Sequence, residues 1–183
     1  MVKVFTSAVV IIPPQEIWPP IQEIRKKYDR QIDRWMPHIT LLYPFRPDSE
    51  FDDLKNKFSE VCRLFKNFEI KLEKFNYFSH KESNYTIWLF PEPREKIIEL
   101  QSALLEIVPD CNDVNLNENG FTPHLSVGQF RGNKKVLLEI IYLLQQEWNP
   151  LIFHLDSINF ISRENSRFSR FQNQKQILFN FQK

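Results

Sequence analysis

Two short motifs in this sequence have the residue types needed for proton transfer on a phosphate ester. Pro37-His38-Ile39-Thr40 and Pro123-His124-Leu125-Ser126 each place a hydroxyl residue two positions after a histidine. Both motifs continue into apolar runs that are typical of β-strands, and residues i and i+2 of a strand project from the same face. Each motif is therefore predicted to point an imidazole and a hydroxyl in the same direction.

Two such strands, if they faced each other, would surround one anionic ligand with two proton-transfer groups and two hydroxyl donors. Cleaving a phosphodiester requires an attacking oxygen to lose a proton and a leaving oxygen to gain one, roughly in line through phosphorus. Histidine can do either task near neutral pH. His38 and His124 are therefore the candidate acid and base. Thr40 and Ser126 are candidate hydrogen-bond donors to the non-bridging phosphate oxygens.

The motifs belong to a longer internal similarity. The histidines are 86 positions apart, and segment 68–79 aligns without gaps with segment 151–162 at an offset of 83. In that alignment Asn76 meets Asn159. Similarity at one fixed spacing predicts a duplicated unit that carries one motif per copy. We expect repeat units over about 38–91 and 124–182, within a single domain that covers 1–183.

Hydrophobic periodicity predicts alternating strands and helices. Ser49 and Asn133 are predicted helix N-caps, and Pro93 and Pro109 are predicted to bound a third helix. The Asn119-Gly120 pair is a predicted turn. Each half then contains a strand, a helix and a two-stranded hairpin, which predicts an α+β fold with two pseudo-symmetric lobes of antiparallel sheet and outer helices. The predicted strands are 3–12, 38–45, 68–79, 84–91, 123–130, 151–162 and 174–181, and the first and last helices are 19–29 and 134–148.

Composition excludes several classes of protein. The chain has 183 residues, 42% of them hydrophobic and 17 of them phenylalanine, which excludes general disorder. Its net charge of +1 gives no overall basic field of the kind that tight duplex binders have. Any contact with nucleic acid must therefore be local. Arg163, Arg167 and Arg170 form one basic cluster, for which a solvated surface is the favoured interpretation.

The sequence has few residues suited to a metal or an organic cofactor. It contains no His-Glu-x-x-His, no Cys-x-x-Cys and no clustered carboxylates in a ligand pattern. Its three glycines, Gly120, Gly128 and Gly132, cannot form a nucleotide-cradling loop. Cys62 and Cys111 are too far apart in sequence to suggest a disulfide framework. We therefore predict catalysis with no cofactor and no metal.

The apolar run from Val4 to Ile12 is predicted to be a strand rather than a signal peptide. Only Lys3 precedes it as a charged residue, and Pro13-Pro14 follows it without a cleavage-site pattern. No apolar stretch approaches the length of a transmembrane helix. We expect a cytoplasmic monomer with no membrane partner.

The paired motifs, at this separation and within a repeat, resemble those of the two-histidine (2H) phosphoesterases, which include bacterial 2'-5' RNA ligase-like proteins and cyclic phosphodiesterases. The resemblance covers nearly the whole chain. It implies that both motifs line one central cleft between the lobes. It also implies metal-independent hydrolysis or transesterification of a 2',3'-cyclic phosphate or a 2'-5' phosphodiester, with reverse 2'-5' ligation as a further activity. The implied partners are RNA ends or small cyclic or 2'-5' nucleotides.

Four more residues are candidate substrate contacts. Many relatives carry a basic residue, often arginine, shortly after the second motif, where this chain has Gln129 and Phe130; Arg131 would share the face of Gln129 on a regular strand. Aromatic rings stack on the bases of RNA ends, which makes Tyr43 and Phe130 candidates, although core packing is the commoner role of such rings. By strict alternation from His38, Tyr43 is predicted on the opposite face.

Several alternatives stay open at the level of sequence. A non-catalytic nucleotide- or RNA-binding domain with the same cleft is the second hypothesis; Gln129 in place of a basic residue favours it, and the intact motifs oppose it. The natural substrate is left open between RNA termini, 2'-5' oligoadenylates and cyclic ADP-ribose phosphates. Which histidine is the base is also left open.

Overall fold

The computed structural model describes residues 2–116 and 120–180, which form an α+β fold of four α-helices and eight β-strands. The helices are α1 (Trp18–Tyr28), α2 (Phe51–Cys62), α3 (Arg94–Ile107) and α4 (Lys134–Glu147). The strands are β1 (Ser7–Ile11), β2 (Ile39–Leu42), β3 (Phe68–His80), β4 (Asn84–Glu92), β5 (Leu125–Arg131), β6 (Leu151–Leu155), β7 (Ser157–Ser162) and β8 (Gln172–Leu178). The predicted α+β class is confirmed.

The eight strands form one antiparallel sheet in the order β6-β3-β4-β5-β2-β1-β7-β8. The motif strands β2 and β5 are neighbours at its centre, paired at Ile39 and Leu125. The resemblance implies that the motifs line a cleft between two lobes; in the structure the two motif strands lie side by side in one sheet. Strands β6 and β7 lie near opposite edges of the sheet, yet only Asp156 separates them along the chain. The sheet therefore has to curl until its two edges approach each other.

The hairpin predicted at 68–79 and 84–91 is confirmed as β3 and β4. The last predicted hairpin is only partly right, because the run 151–162 breaks at Asp156 into two strands with different partners. β6 pairs with β3, whereas β7 pairs with β1 and β8. Apolar residues occur in both strands and no glycine or proline stands between them, so the sequence gives no turn signal at the break. The repeat boundaries of about 38–91 and 124–182 stay a prediction.

Helix boundaries follow the local sequence closely. The side chain of Asn133 accepts a hydrogen bond from the backbone N–H of Lys135 at 2.8 Å, which confirms it as the N-cap of α4. Pro93 precedes α3 as predicted. Ser49 is not an N-cap, because a short 3-10 turn over Asp48–Glu50 comes before α2. The predicted Asn119-Gly120 turn falls partly on Asn119, which lies outside the described residues.

The main apolar core lies between one face of the sheet and the helices. Ile39 and Leu125 of the motif strands are fully buried in it, together with Ile21 of α1, Leu100 of α3 and Leu137 of α4. The opposite face, here called the site face, carries the side chains that alternate with these along each strand. No helix in the described residues has the length and apolar content needed to cross a membrane.

Helix α1 packs very closely on β5. A Cβ atom at Gly128 would lie 2.4 Å from the Cβ of Tyr28, a distance at which one of the two elements must move. Only glycine therefore allows the end of α1 to sit against the strand that carries the second motif. This contact brings Asp29, just after α1, close to both motif strands.

Two β-bulges follow the motifs at matching places. Leu41 is the extra residue between the pairs Val10–Thr40 and Val9–Leu42, and Val127 is the extra residue between Trp88–Ser126 and Ile87–Gly128. Each bulged residue stands three positions after its motif histidine. An extra residue reverses the alternation of faces beyond it. Residues five positions after each histidine consequently share the face of the motif.

Candidate active site

The four motif residues lie together on the site face. Because Ile39 and Leu125 form an antiparallel pair, Thr40 is opposite His124 and His38 is opposite Ser126. Side chains directly opposite each other on neighbouring strands have Cβ atoms about 5 Å apart. Each histidine is therefore next to the hydroxyl residue of the other motif. All four side chains are half-buried, so the cluster keeps contact with solvent.

Both histidines are held by the same kind of hydrogen bond. Nδ1 of His38 lies 2.7 Å from the backbone oxygen of Met36, and Nδ1 of His124 lies 2.7 Å from that of Thr122. A carbonyl oxygen can only accept, so Nδ1 carries the hydrogen in both rings. This leaves Nε2 of each neutral imidazole with a free lone pair. The two motifs therefore present the same atom for proton transfer.

The surroundings lower the pKa of both histidines. Burial lowers the pKa of His38 from 6.5 to about 4; its hydrogen bond to Met36 opposes the shift, and the charge of Arg25 adds to it. Burial also lowers the pKa of His124. Both rings are thus neutral at pH 7 in the free protein. A bound phosphate would raise both pKa values, because a negative charge favours the cationic form.

An aromatic stack supports His38. The Trp35 ring lies parallel to the His38 ring with centroids 4.7 Å apart, and its other side stacks on Phe171 at 3.8 Å. His124 has a different environment, with the Phe78 ring edge-on at 4.8 Å and the Trp88 ring tilted at 5.9 Å. Sequence reasoning did not single out Trp35. A signal existed, since an aromatic residue stands three positions before each histidine.

A buried ion pair stands beside His38. Nε of Arg25 donates to Oδ2 of Asp29 at 2.7 Å, and a terminal nitrogen of Arg25 donates to the backbone oxygen of Trp35 at 2.8 Å. Gln129 completes this network: its Nε2 donates to Oδ1 of Asp29 at 3.1 Å, and its Oε1 accepts from the backbone N–H of Arg30 at 3.0 Å. Gln129 therefore ties β5 to the end of α1, and both polar atoms of its amide are engaged.

Tyr43 lies on the site side of the sheet, because the bulge at Leu41 reverses the alternation that had predicted the opposite face. Its ring meets Trp35 edge-on at 5.4 Å, and its hydroxyl donates to the backbone oxygen of Phe5 at 3.3 Å. The ring of Trp35 therefore contacts both Tyr43 and His38.

The structure does not bring Phe130 and Arg131 to the motif residues. Phe130 packs against the main core beside Tyr85, with ring centroids 6.3 Å apart. Arg131 lies at the far end of β5, where its side chain is 71% exposed and 3.8 Å from Glu82. Arg163 of the basic cluster is closer, because its guanidinium lies 5.5 Å from the ring of Phe171, which stacks on Trp35.

A cavity of about 850 Å³ opens beside the cluster, on the side of His124. Thr40, His124 and Ser126 line it, so its floor contains three of the four motif residues. Among residues 2–116 and 120–180, no group of three or more His, Cys, Asp or Glu side chains could hold a metal ion. The other residues that line the cavity are Asn76, Tyr77, Phe78, Ser79, His80, Thr86, Val114, Phe121 and Thr122.

Comparison with known families and sequences gives one consistent result. The family model of the 2'-5' RNA ligase superfamily matches residues 13–167. A Geobacillus kaustophilus protein that carries the name "Putative phosphoesterase" is 33% identical over 128 residues, which cover 66% of this chain and 67% of that protein. A Bacillus licheniformis protein of the same name is 28% identical over 126 residues, covering 66% and 69%.

Solved structures show the same fold. Escherichia coli LigT in complex with 3'-AMP aligns over 98% of this chain and 100% of its own, with a TM-score of 0.63 and 14% identity. A Thermus thermophilus protein aligns over 96% of this chain and 98% of its own, with a TM-score of 0.65 and 17% identity. At such low identity the likeness concerns the fold.

Proposed function

This chain belongs to the 2'-5' RNA ligase superfamily of two-histidine phosphoesterases, and we propose that it cleaves phosphodiesters by metal-independent acid–base catalysis. The proposed substrates are 2',3'-cyclic phosphates or 2'-5' linkages of RNA or small nucleotides. The crossed arrangement of His38, Thr40, His124 and Ser126 is the observation that carries this function. It offers two proton-transfer atoms and two hydroxyl donors on one surface.

We assign Thr40 and Ser126 to the phosphate. Their hydroxyls donate to the non-bridging oxygens, which hold negative charge in the ground state and in the transition state. The phosphate then lies between the two Nε2 atoms, so that one imidazole meets the attacking oxygen and the other meets the leaving oxygen.

We assign the base in hydrolysis to His38. The positive charge of nearby Arg25 disfavours a proton on His38, so the one proton that the pair takes up when phosphate binds resides on His124. Nε2 of His38 takes a proton from the attacking water as the new P–O bond forms. Nε2 of His124 gives a proton to the ribose oxygen as the old P–O bond breaks. Reverse ligation exchanges the two roles.

The relatives support ligands of this class. LigT, whose fold this chain shares, has been solved in complex with 3'-AMP, phosphate, ATP and NADP+. Each of these ligands carries phosphate, and three of them carry a nucleoside base as well as ribose. A nucleotide is therefore the first class of ligand to test here.

The test is a pair of histidine variants and their combination. We expect His38→Ala and His124→Ala each to lower kcat by about 10²-fold to 10⁴-fold, because each removes one proton carrier from the same step. The double variant should be little worse than the poorer single variant. Initial rates and product analysis on adenosine 2',3'-cyclic phosphate and 2'-5'-linked ApA give the measurement, and activity should survive EDTA.

A matched pair of variants at Thr40 serves as the control. Thr40→Ser keeps the hydroxyl and should retain most of the rate, whereas Thr40→Val keeps the shape and loses the donor. A binding domain would give another result, in which these substitutions change affinity alone and no substrate is turned over above background. Loss of activity in EDTA, restored by added Mg²⁺, Mn²⁺ or Zn²⁺, would overturn the metal-independent mechanism.

A further inference from the structure

A second cavity, of about 470 Å³, opens on the other half of the sheet, and the mechanism above makes no use of it. Its apolar lining includes Ile12 and Met36, and its polar lining includes Asn159, Asn173 and Gln176. Ile12 and Met36 pack in the same small apolar cluster as Trp35, whose ring stacks on His38. The backbone oxygen of Met36 also holds Nδ1 of His38. This cavity therefore adjoins the site on the side of His38.

The register of the sheet gives the distance between this cavity and the site. Asn159 on β7 is paired with Val10 on β1, and Val10 is paired with Thr40 on β2. Two strand spacings separate Asn159 from Thr40, which corresponds to about 10 Å. On the half of the sheet that contains β3, β4 and β5, Asn76 lies two strands away from Ser126 and lines the cavity of about 850 Å³. The two asparagines thus flank the motif cluster at equal distances.

The polar lining of the smaller cavity consists mainly of ordered amides. Nδ2 of Asn173 donates to Oδ1 of Asn159 at 2.8 Å, and Nε2 of Gln176 donates to Oγ of Ser157 at 2.9 Å. Each contact uses one N–H of an amide that has two N–H groups and an acceptor oxygen. Asn159 is buried to 4% exposure, whereas Asn173 and Gln176 are exposed. Asparagine and glutamine amides are the side chains that best match the donor and acceptor edges of nucleobases.

The charge of the cavity argues against phosphate as its ligand. Within the described ranges 2–116 and 120–180, no lysine or arginine lines it, and Asp156 contributes a carboxylate. A phosphate would be repelled by this carboxylate and would find no lysine or arginine there, and the imidazole of His154, which also lines the cavity, lies 3.5 Å from Glu69. An uncharged base with a mixed hydrogen-bonding edge fits the amides, and its flat faces fit Ile12 and Met36.

We propose that this cavity binds the second nucleoside of a substrate whose phosphodiester lies between Thr40 and Ser126. This inference rests on the proposed function and narrows its substrate class. A site with a nucleoside position on each side of the phosphate is suited to a linkage between two nucleosides, such as a 2'-5' phosphodiester. A mononucleotide with a 2',3'-cyclic phosphate has its leaving ribose oxygen at His124, so it would fill the position at the larger cavity and leave the smaller cavity empty.

The kinetic test compares two substrates and two variants. The double variant Asn173→Ala/Gln176→Ala should lower kcat/KM on 2'-5'-linked ApA by at least about 10-fold, the loss of one or two hydrogen bonds. Its kcat/KM on adenosine 2',3'-cyclic phosphate should stay within about 2-fold of the wild type. Gln174→Ala on the same strand, outside the lining, is the control. An equal loss on both substrates, or no loss on ApA, would overturn the inference.

A binding test separates this inference from the proposed function. Side-chain amides of asparagine and glutamine give their own signals in ¹⁵N-correlated NMR spectra. Adenosine added to the His38→Ala/His124→Ala protein should shift the amide signals of Asn159, Asn173 and Gln176 and leave that of Gln174 in place. Such shifts without turnover by the wild type would refute the proposed function and support a nucleoside site. Turnover of ApA with no shift of these amides would refute the nucleoside site alone.

Discussion

The hydrogen bond from Nδ1 to a backbone oxygen fixes the orientation of each motif histidine and leaves Nε2 as its available ring nitrogen. The ring cannot flip without losing a bond of 2.7 Å, so Nε2 keeps its place from one turnover to the next. The neighbours of the two rings then set them apart, since Arg25 and the stacked Trp35 act on His38 alone. Two chemically equal residues thereby have different surroundings, and the proposal that they have different roles rests on this difference.

The pH dependence of the rate should report this difference. In the proposed mechanism, the active free enzyme carries one proton on the pair formed by His38 and His124. The pKa values of both histidines lie below 6.5. We therefore expect kcat/KM to fall as pH rises above the higher of the two pKa values and to fall again below the lower one. Because bound phosphate raises both pKa values, the profile of kcat should lie at higher pH than that of kcat/KM. Initial rates on adenosine 2',3'-cyclic phosphate between about pH 4 and pH 9 give the pH profiles of both kcat and kcat/KM.

A flat profile above neutral pH would contradict this assignment, since it would mean that the doubly neutral pair is active. The His124→Ala variant is the control. Removal of the proton donor should abolish the alkaline limb of kcat/KM at whatever rate remains.

At the scale of elements, the end of α1 serves the site through a buried ion pair. Arg25 and Asp29 are 2% and 8% exposed, and they are bonded to Gln22, Gln31, Gln129 and the backbone of Trp35. Removing one partner leaves the other charge buried and unpaired, which is far more costly than removing both. The pair therefore fixes the loop that carries Trp35 against the strand that carries Gln129.

We expect Arg25→Met to lower the free energy of unfolding by about 3 to 5 kcal/mol, because the buried carboxylate of Asp29 loses its cation and keeps only neutral donors. Asp29→Asn retains the acceptor oxygen and removes the charge. The double variant Arg25→Met/Asp29→Asn should cost clearly less than the sum of the two single variants. Urea denaturation of all four proteins measures this, and additive costs would show that the pair is not coupled.

Much of this arrangement was accessible from sequence, and the parts that were not have physical reasons. The types and spacing of His38, Thr40, His124 and Ser126 were enough to predict that they share a face. The side of Tyr43 was not, because a bulge at Leu41 depends on strand pairing and leaves no mark in the hydrophobic pattern. The role of Gln129 was also hidden, since its partners Asp29 and Arg30 are about 100 positions away.

For the whole molecule, the lowered histidine pKa links the site to stability in acid. The pKa of His38 is about 4 in the folded protein, whereas the ordinary value of 6.5 applies to the unfolded chain. Between these two pH values the unfolded chain therefore binds a proton at His38 more readily than the folded protein does. Its contribution to stability is complete above about pH 6.5 and is lost as pH falls toward about 4. From the same linkage we expect a loss of about 2 kcal/mol between pH 7.5 and pH 5.

Urea unfolding of the wild type and of His38→Ala at both pH values measures this contribution, with the variant as the baseline for all other groups. The acid-induced loss should be smaller in the variant by roughly this amount. Inorganic phosphate should restore stability at pH 5 in the wild type, because it binds the protonated pair. Equal acid sensitivity of the two proteins would contradict the lowered pKa.

The pairing of Ile39 with Leu125 has a mechanical consequence. It is the one residue pair through which β2 and β5 are joined in the described sheet, whereas the neighbouring strand pairs are joined through several. A rotation of one half of the sheet against the other strains the fewest main-chain hydrogen bonds at this seam. Among the strand pairs of the described sheet, this seam is thus held by the fewest paired residues, and the four motif residues sit along it. We therefore expect a bound ligand to change the angle between the two halves while each half keeps its own ladders intact.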